Sequence, residues 1–432
     1  MPKALRTIAV DLTPVLPGGE NGGAKVFALE LLRGLAMLRP QTQFLLVTQK
    51  STHEELAVLD APNVHRVLWA DVEMADMLNE RRFLARVLRR LFRLSWRMRG
   101  ASPELIADKL LERHFVRGLS ALDVDLLFCP FTRSIGFTAK IPAVCTIHDL
   151  QYKSYPAFFD PEDRLQREKD FLAACNNANK LVADSDYTRG SVIKHGQVDV
   201  AHVSTVYLRL AKRLQQIDPT ADTLSQWALT PQNYLLYPAN FWLHKNHEML
   251  LMAFAIACKR GLAAGIPLVC TGTGARQQEI VSAANSMGLA DRIRFLGHVP
   301  LPQLATLMAQ CRGVIFPSLY EGFGLPILEA MTLGVPVACS DVTALPEVAG
   351  AAALLFDPRE PTQIAQAMLS LVTDGPLRAQ LIQKGQERAR EFSNTQRMAE
   401  EYWAVFQAAW REHKRSRQRR PCTISVNLAA QK

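Results

Sequence analysis

Nothing in these 432 residues is long and apolar enough to suggest a membrane span, because no uncharged run approaches the ~20 residues that a transmembrane helix needs. The opening MPKALRTIAVDL has no secretory-signal shape and runs straight into an apolar strand pattern, which reads as a cytoplasmic protein. Cysteine is sparse, eight in all and never in a C-x-x-C pair. Cys129, Cys145, Cys270 and Cys339 lie in apolar runs and read as reduced core thiols, not as disulfides or zinc ligands. Acid is missing where base concentrates. Residues 81–99 hold eight arginines and no acid, and residues 411–420 hold six basic residues against Glu412 alone, so the formal net charge of +9 becomes −4 for the remainder. With the base confined to two segments, a nucleic-acid groove is not indicated. Arginine, in turn, is absent between residues 233 and 258.

What is present is an ordinary globular chain, 48% apolar and 21% charged, long enough for two domains with separate cores. Apolar strand patterns at 6–12, 43–48, 64–69, 126–128, 143–147 and 180–185 alternate with helix-period stretches such as 24–38 and 103–119, as a parallel α/β sheet requires. Periodicity fades over 210–232, where Pro219 and Pro231 interrupt it. A second set then begins, with strands near 234–239, 267–271, 292–298, 313–317, 335–339 and 352–356. The spacing predicts a domain over 1–210, a linker over 211–232, a second domain over 233–392, a helix over 393–414 and a disordered basic tail over 415–432.

The most informative stretch is 318–331, SLYEGFGLPILEAM, between an apolar strand pattern and a helix-period run. Gly322 and Gly324 allow close backbone approach, and Pro326 suits a first helical turn. The amides of Phe323, Gly324 and Leu325 would then face outward at a positive helix end, an anion site. Glu321 and Glu329 beside such a cradle would repel a phosphate they touched, so they read as acceptors for sugar hydroxyls. Gly22 and Gly23 form a glycine-rich turn after the first strand, although without the G-x-G-x-x-G spacing of a dinucleotide site. His148 stands at the carboxyl end of a strand, where ligands of such sheets bind. Two D-x-D triplets, at Asp123 and Asp125 and at Asp184 and Asp186, lack carboxylate neighbours and read as structural, so no essential metal or other cofactor is expected.

EGFGLPILE resembles the E-x7-E motif of family-4 retaining glycosyltransferases, and the likeness runs on through 334–337 and 345–348. HDLQYKSYPAFF and YPANFWLHKNH look like bacterial mannosyltransferases of surface-polysaccharide assembly. The resemblance implies the GT-B architecture: two Rossmann-like domains facing across a cleft, with a C-terminal helix crossing back to the first. It implies that Glu321, His148 and Lys245 are catalytic and that Gly22, Gly23, Asn240, Val299, Phe323, Gly324, Leu325 and Glu329 bind the donor. Asn240 or Ala239 stands where the family carries a phosphate-gripping arginine, and His244 or His247 is a candidate substitute. GDP-mannose leads as donor, with UDP-sugars as the alternative and a glycan or lipid-linked acceptor as partner. A sugar-nucleotide epimerase and a non-catalytic binding protein are the rivals. Within 80–99, Leu84, Val87, Leu88, Leu91 and Met98 recur at helical spacing opposite Arg82, Arg86, Arg89, Arg90 and Arg93, the make-up of a helix lying on an anionic membrane surface.

Overall fold

The structure, a computed structural model, describes residues 5–18, 21–69, 119, 122–133, 136–215 and 224–418. Seven strands form the first sheet: β1 (Thr7–Asp11), β2 (Gln43–Thr48), β3 (Val64–Leu68), β4 (Leu126–Cys129), β5 (Ala143–Ile147), β6 (Lys180–Ala183) and β7 (Val203–Thr205). Six form the second: β8 (Leu235–Pro238), β9 (Leu268–Thr271), β10 (Ile293–Phe295), β11 (Gly313–Phe316), β12 (Val337–Ser340) and β13 (Ala353–Phe356). The orders are β3-β2-β1-β4-β5-β6-β7 and β10-β9-β8-β11-β12-β13, and every ladder is parallel. Each sheet therefore reverses its strand order once, between β1 and β4 and between β8 and β11. Ligands of open α/β sheets bind at the carboxyl ends beside such a reversal.

Helices cover both sheets. Among the described residues of the first domain they are α1 (Gly22–Leu38), α2 (Gln151–Ser154), α3 (Pro161–Asn177) and α4 (Asp186–Gly196). In the second they are α5 (His247–Lys259), α6 (Gln277–Ser286), α7 (Leu301–Gln310), α8 (Leu325–Thr332), α9 (Leu345–Ala349), α10 (Pro361–Thr373) and α11 (Gly375–Glu391). The last helix, α12 (Thr395–Gln418), leaves the second domain and packs on the first. Its Tyr402 hydroxyl lies 3.1 Å from Thr146 Oγ1 of β5, and its ring packs against Phe27 and Phe128. Lys180 pairs with Glu412 at 2.9 Å, and Arg39 lies over the Trp403 ring.

The structure differs from the sequence reading, or adds to it, at three points. Helix α12 runs on through Gln418, so the basic tail expected from 415 begins inside a helix. The three-residue β7 was too short to give an alternation signal. The 211–232 linker contains two 3-10 turns, Ala211–Arg213 and Ser225–Trp227. The arginine-rich stretch 80–99 and all but the last residue of the helix expected over 103–119 lie outside the described residues. Among the described residues, no helix is long and apolar enough to cross a membrane.

Candidate active site

The site grows from the loops that follow β8 and β11, the two strands flanking the reversal in the second sheet. After β11 the chain turns through Ser318 to Gly324 into α8, whose cap, Gly324, has φ +101°, a left-handed conformation that glycine adopts without penalty. Pro326 occupies the first turn, where the missing N–H costs nothing. After β8, residues 240–246 fold back against this loop. Leu319 N donates to His244 O at 2.7 Å, and Asn246 Nδ2 donates to the carbonyls of Pro317 and Pro358 at 3.0 and 2.8 Å. Tyr237 Oη donates to Lys245 O at 2.5 Å. This bracing brings Lys245 Nζ to 2.6 Å from Glu321 Oε1, with both side chains nearly buried.

The second carboxylate is also paired. Glu329, one turn into α8, has a side chain only 3% exposed, and its Oε1 receives Nε and Nη2 of Arg213 at 2.8 and 2.6 Å. Burial pushes the Glu329 carboxyl above its ordinary value, and Arg213 opposes that shift. The two glutamates are thus each held by a cation, whereas the sequence suggested free acceptors for hydroxyls.

Across the cleft, His148 at the end of β5 is fixed from both sides. Its Nδ1 lies 2.6 Å from Asp184 Oδ2, and its Nε2 lies 2.8 Å from the Pro130 carbonyl. A carbonyl only accepts, so Nε2 carries a proton, and a second proton is shared between Nδ1 and Asp184. Burial disfavours the charged ring, but the Asp184 carboxylate and the Pro130 carbonyl outweigh it, and the His148 pKa is raised. Sequence reasoning assigned Asp184 to a structural triplet and missed this pairing, for which 36 residues of separation gave no local signal. Of the other triplet members, Asp125 accepts from Arg6 N and Thr7 N, and Asp186 from the hydroxyls of Thr205 and Tyr207. Among the described residues no cluster of three His, Cys, Asp or Glu side chains is placed to hold a metal ion.

The two faces meet at Gly322. Its carbonyl accepts from Ser185 Oγ at 2.7 Å and from Thr188 Oγ1 at 3.2 Å, both at the start of α4. Glu347 of α9 takes the amides of Asp186 and Tyr187 at 2.7 and 2.9 Å, the acceptor position that a helix amino end favours. This contact sets Gly322, the neighbour of Glu321, against the backbone of His148.

The remaining sequence candidates fall around this centre. Gly22 and Gly23 open α1, and a Cβ on Gly22 would lie 3.6 Å from the exposed Trp242 across the cleft. Phe323 and Leu325 are buried beside Gly324. Val299 is buried beyond β10, after the turn whose Gly297 carbonyl accepts from Gly272 N. Asn240 turns its Oδ1 to the Thr273 amide at 3.1 Å, which commits it to holding the neighbouring turn. The histidines do not replace the absent arginine's charge. Burial, then Lys245, pushes His244 down to about 2, and burial, then Lys245 and Arg276, pushes His247 down to about 3. Arg213, which sequence reasoning passed over, is an arginine that does reach the motif.

The glycosyl transferases group 1 profile matches residues 224–388. Those residues are a glycosyl transferases group 1 domain. Over 255 residues the chain is 32% identical to O-antigen chain mannosyltransferase B of Escherichia coli, covering 58% of this chain and 66% of that protein. It is 29% identical to the E. coli serotype-specific mannosyltransferase WbdA over 283 residues, 62% of this chain but only 34% of WbdA. The chain thus spans about two thirds and one third of these two relatives. D-inositol 3-phosphate glycosyltransferase of Salinispora tropica is 25% identical over 96% of this chain and 87% of its own length. Among solved structures, Anabaena HepE in complex with UDP and glucose superposes with a TM-score of 0.69 at 16% identity, covering 94% of this chain and all of that one. The fold is GT-B, and the group 1 domain is its second half.

Proposed function

We propose that the chain is a retaining glycosyltransferase that moves mannose from GDP-mannose onto a glycan or lipid-linked acceptor. One observation carries the reading: the Glu321–Lys245 pair stands at the amino end of α8, and the adjacent Gly322 packs on the backbone of the doubly hydrogen-bonded His148. In such a transfer a nucleoside diphosphate leaves the anomeric carbon. Lys245 and the α8 amides would take its developing charge, the electrostatic effect that usually dominates such catalysis. Glu321 and His148 would orient the hexose. No side chain here stands out as a covalent nucleophile, so attack comes on the face that the diphosphate leaves, with the departing phosphate helping to take the acceptor proton.

The mannosyltransferase relatives support mannose; the UDP in the Anabaena structure makes a UDP-sugar the alternative donor. The decisive experiment incubates the protein with labelled GDP-mannose, UDP-glucose and UDP-galactose and a lipid-linked acceptor extract, then assigns the anomeric configuration of the product by NMR. An α-mannosylated product is expected. Transfer from a UDP-sugar alone sinks the donor assignment. A new epimer of the free nucleotide sugar, formed without acceptor, makes the protein an epimerase, and tight binding with no turnover makes it a binding protein.

The reading also gives residues 80–99 to an anionic lipid surface, on the strength of their eight arginines interleaved with Phe83, Phe92 and Trp96. The protein is expected to sediment with phosphatidylglycerol vesicles at low salt and to be released as salt rises. A protein that stays in the supernatant at low salt defeats this part.

A further inference from the structure

Each carboxylate of the E-x7-E motif is matched by one cation, and the two cations come from different parts of the chain. Lys245 comes from the loop after β8; Arg213 comes from the connection between the domains, on a 3-10 turn packed against α8. We propose that Arg213 is a donor-site residue: its guanidinium takes the phosphate-gripping role that no arginine between 233 and 258 can fill, and it meets the diphosphate of the bound nucleotide sugar. This rests on the reading of the site as a nucleotide-sugar site.

The geometry places Arg213 for that task. Its side chain is 22% exposed while that of Glu329 is 3% exposed, so Arg213 is the more accessible member of the pair. The hydrogen bond from Nε and the shortest ion-pair contact, from Nη2, both fall on Oε1. A guanidinium carries five N–H donors, more than these two contacts use, so it has donors to offer an incoming phosphate. An anion on the amides of residues 323–325 would sit four residues before Glu329, about 6 Å along the α8 axis. Arginine stays charged at any working pH and matches phosphate with two parallel N–H donors. Of the residues that the sequence offered in place of the missing arginine, His244 and His247 are held neutral and Asn240 is tied to the Thr273 amide. Because Arg213 belongs to the interdomain connection, its placement depends on how the two domains sit.

The test compares Arg213→Met and Arg213→Lys with the native chain by calorimetric binding of GDP and guanosine, and of UDP and uridine, together with the donor KM and kcat of transfer. The methionine variant is expected to lose roughly ten- to a hundredfold in affinity for the diphosphate of the better nucleotide and less than about threefold for its nucleoside. Lysine should recover part of the loss, as a point charge without the fork. Since lysine keeps a cation on buried Glu329, it decides the matter if the methionine variant fails to fold. Equal losses for diphosphate and nucleoside would mean that Arg213 only positions Glu329, and that overturns the proposal, as does native affinity in both variants. A native chain that binds neither diphosphate overturns the donor-site reading itself, a result distinct from either.

Discussion

Replacing Gly322 by alanine is expected to cost at least about a hundredfold in kcat/KM while leaving both domains folded. A Cβ on Gly322 would lie 1.9 Å from the His148 carbonyl oxygen and 3.1 Å from Asp149 Cβ. The nearest obstacle is backbone, so no rotamer change relieves it. Ordinary contact begins near 3.4 Å, which requires the two faces to part by about 1.5 Å along that line. A misplacement on the order of 1 Å can cost ~100-fold where reacting groups must be held in register. The hydroxyls of Ser185 and Thr188 would also lose their grip on the Gly322 carbonyl. Neither sheet contains Gly322, so the thermal unfolding midpoint should change by only a few degrees. Native turnover in Gly322→Ala would mean that this contact is not part of the working enzyme.

The second large effect separates stability from chemistry at the Lys245–Glu321 pair. Lys245→Met leaves the Glu321 carboxylate nearly buried without its cation, and breaking such a pair costs about 3 kcal/mol or more. Adding Glu321→Gln removes the stranded charge, so the double variant should recover most of the lost stability in denaturant titrations. Transfer should not recover. In the proposed transfer each residue meets the leaving group or the hexose, and charge-assisted hydrogen bonds of ~1.5–3 kcal/mol set a minimum loss of roughly ten- to a hundredfold. If the double variant regains activity along with stability, the pair is a structural ion pair and the assignment of both residues fails.

The fold was legible because its signals are local. Strands 43–48 and 143–147 end where their apolar runs end, and the parallel alternation follows from short apolar strands separated by helix-period stretches. The E-x7-E segment was legible for the same reason: glycine, proline and two glutamates within nine residues dictate a turn and a helix start. The partners of those residues were not legible. Asp184 meets His148 from 36 positions away, and Arg213 meets Glu329 from 116. No periodicity connects them, and Arg213 lies where the pattern fades, which invites reading the stretch as mere connection. His244 and His247 were open as charge donors until burial became visible, because a loop histidine looks the same in sequence whether it is solvated or covered.

Tyr402 and Phe406 have a consequence for the order in which this molecule can be made. They fill the space between Phe27 and Phe128, so the first domain's core is completed by a helix that begins at Thr395. During synthesis the strands of the first sheet leave the ribosome long before that helix exists. At ~5–20 residues per second, the roughly 190 residues between β7 and α12 take on the order of 10–40 s to emerge. For that interval an aromatic face stands uncovered, and the first half of the chain waits on the last to be finished.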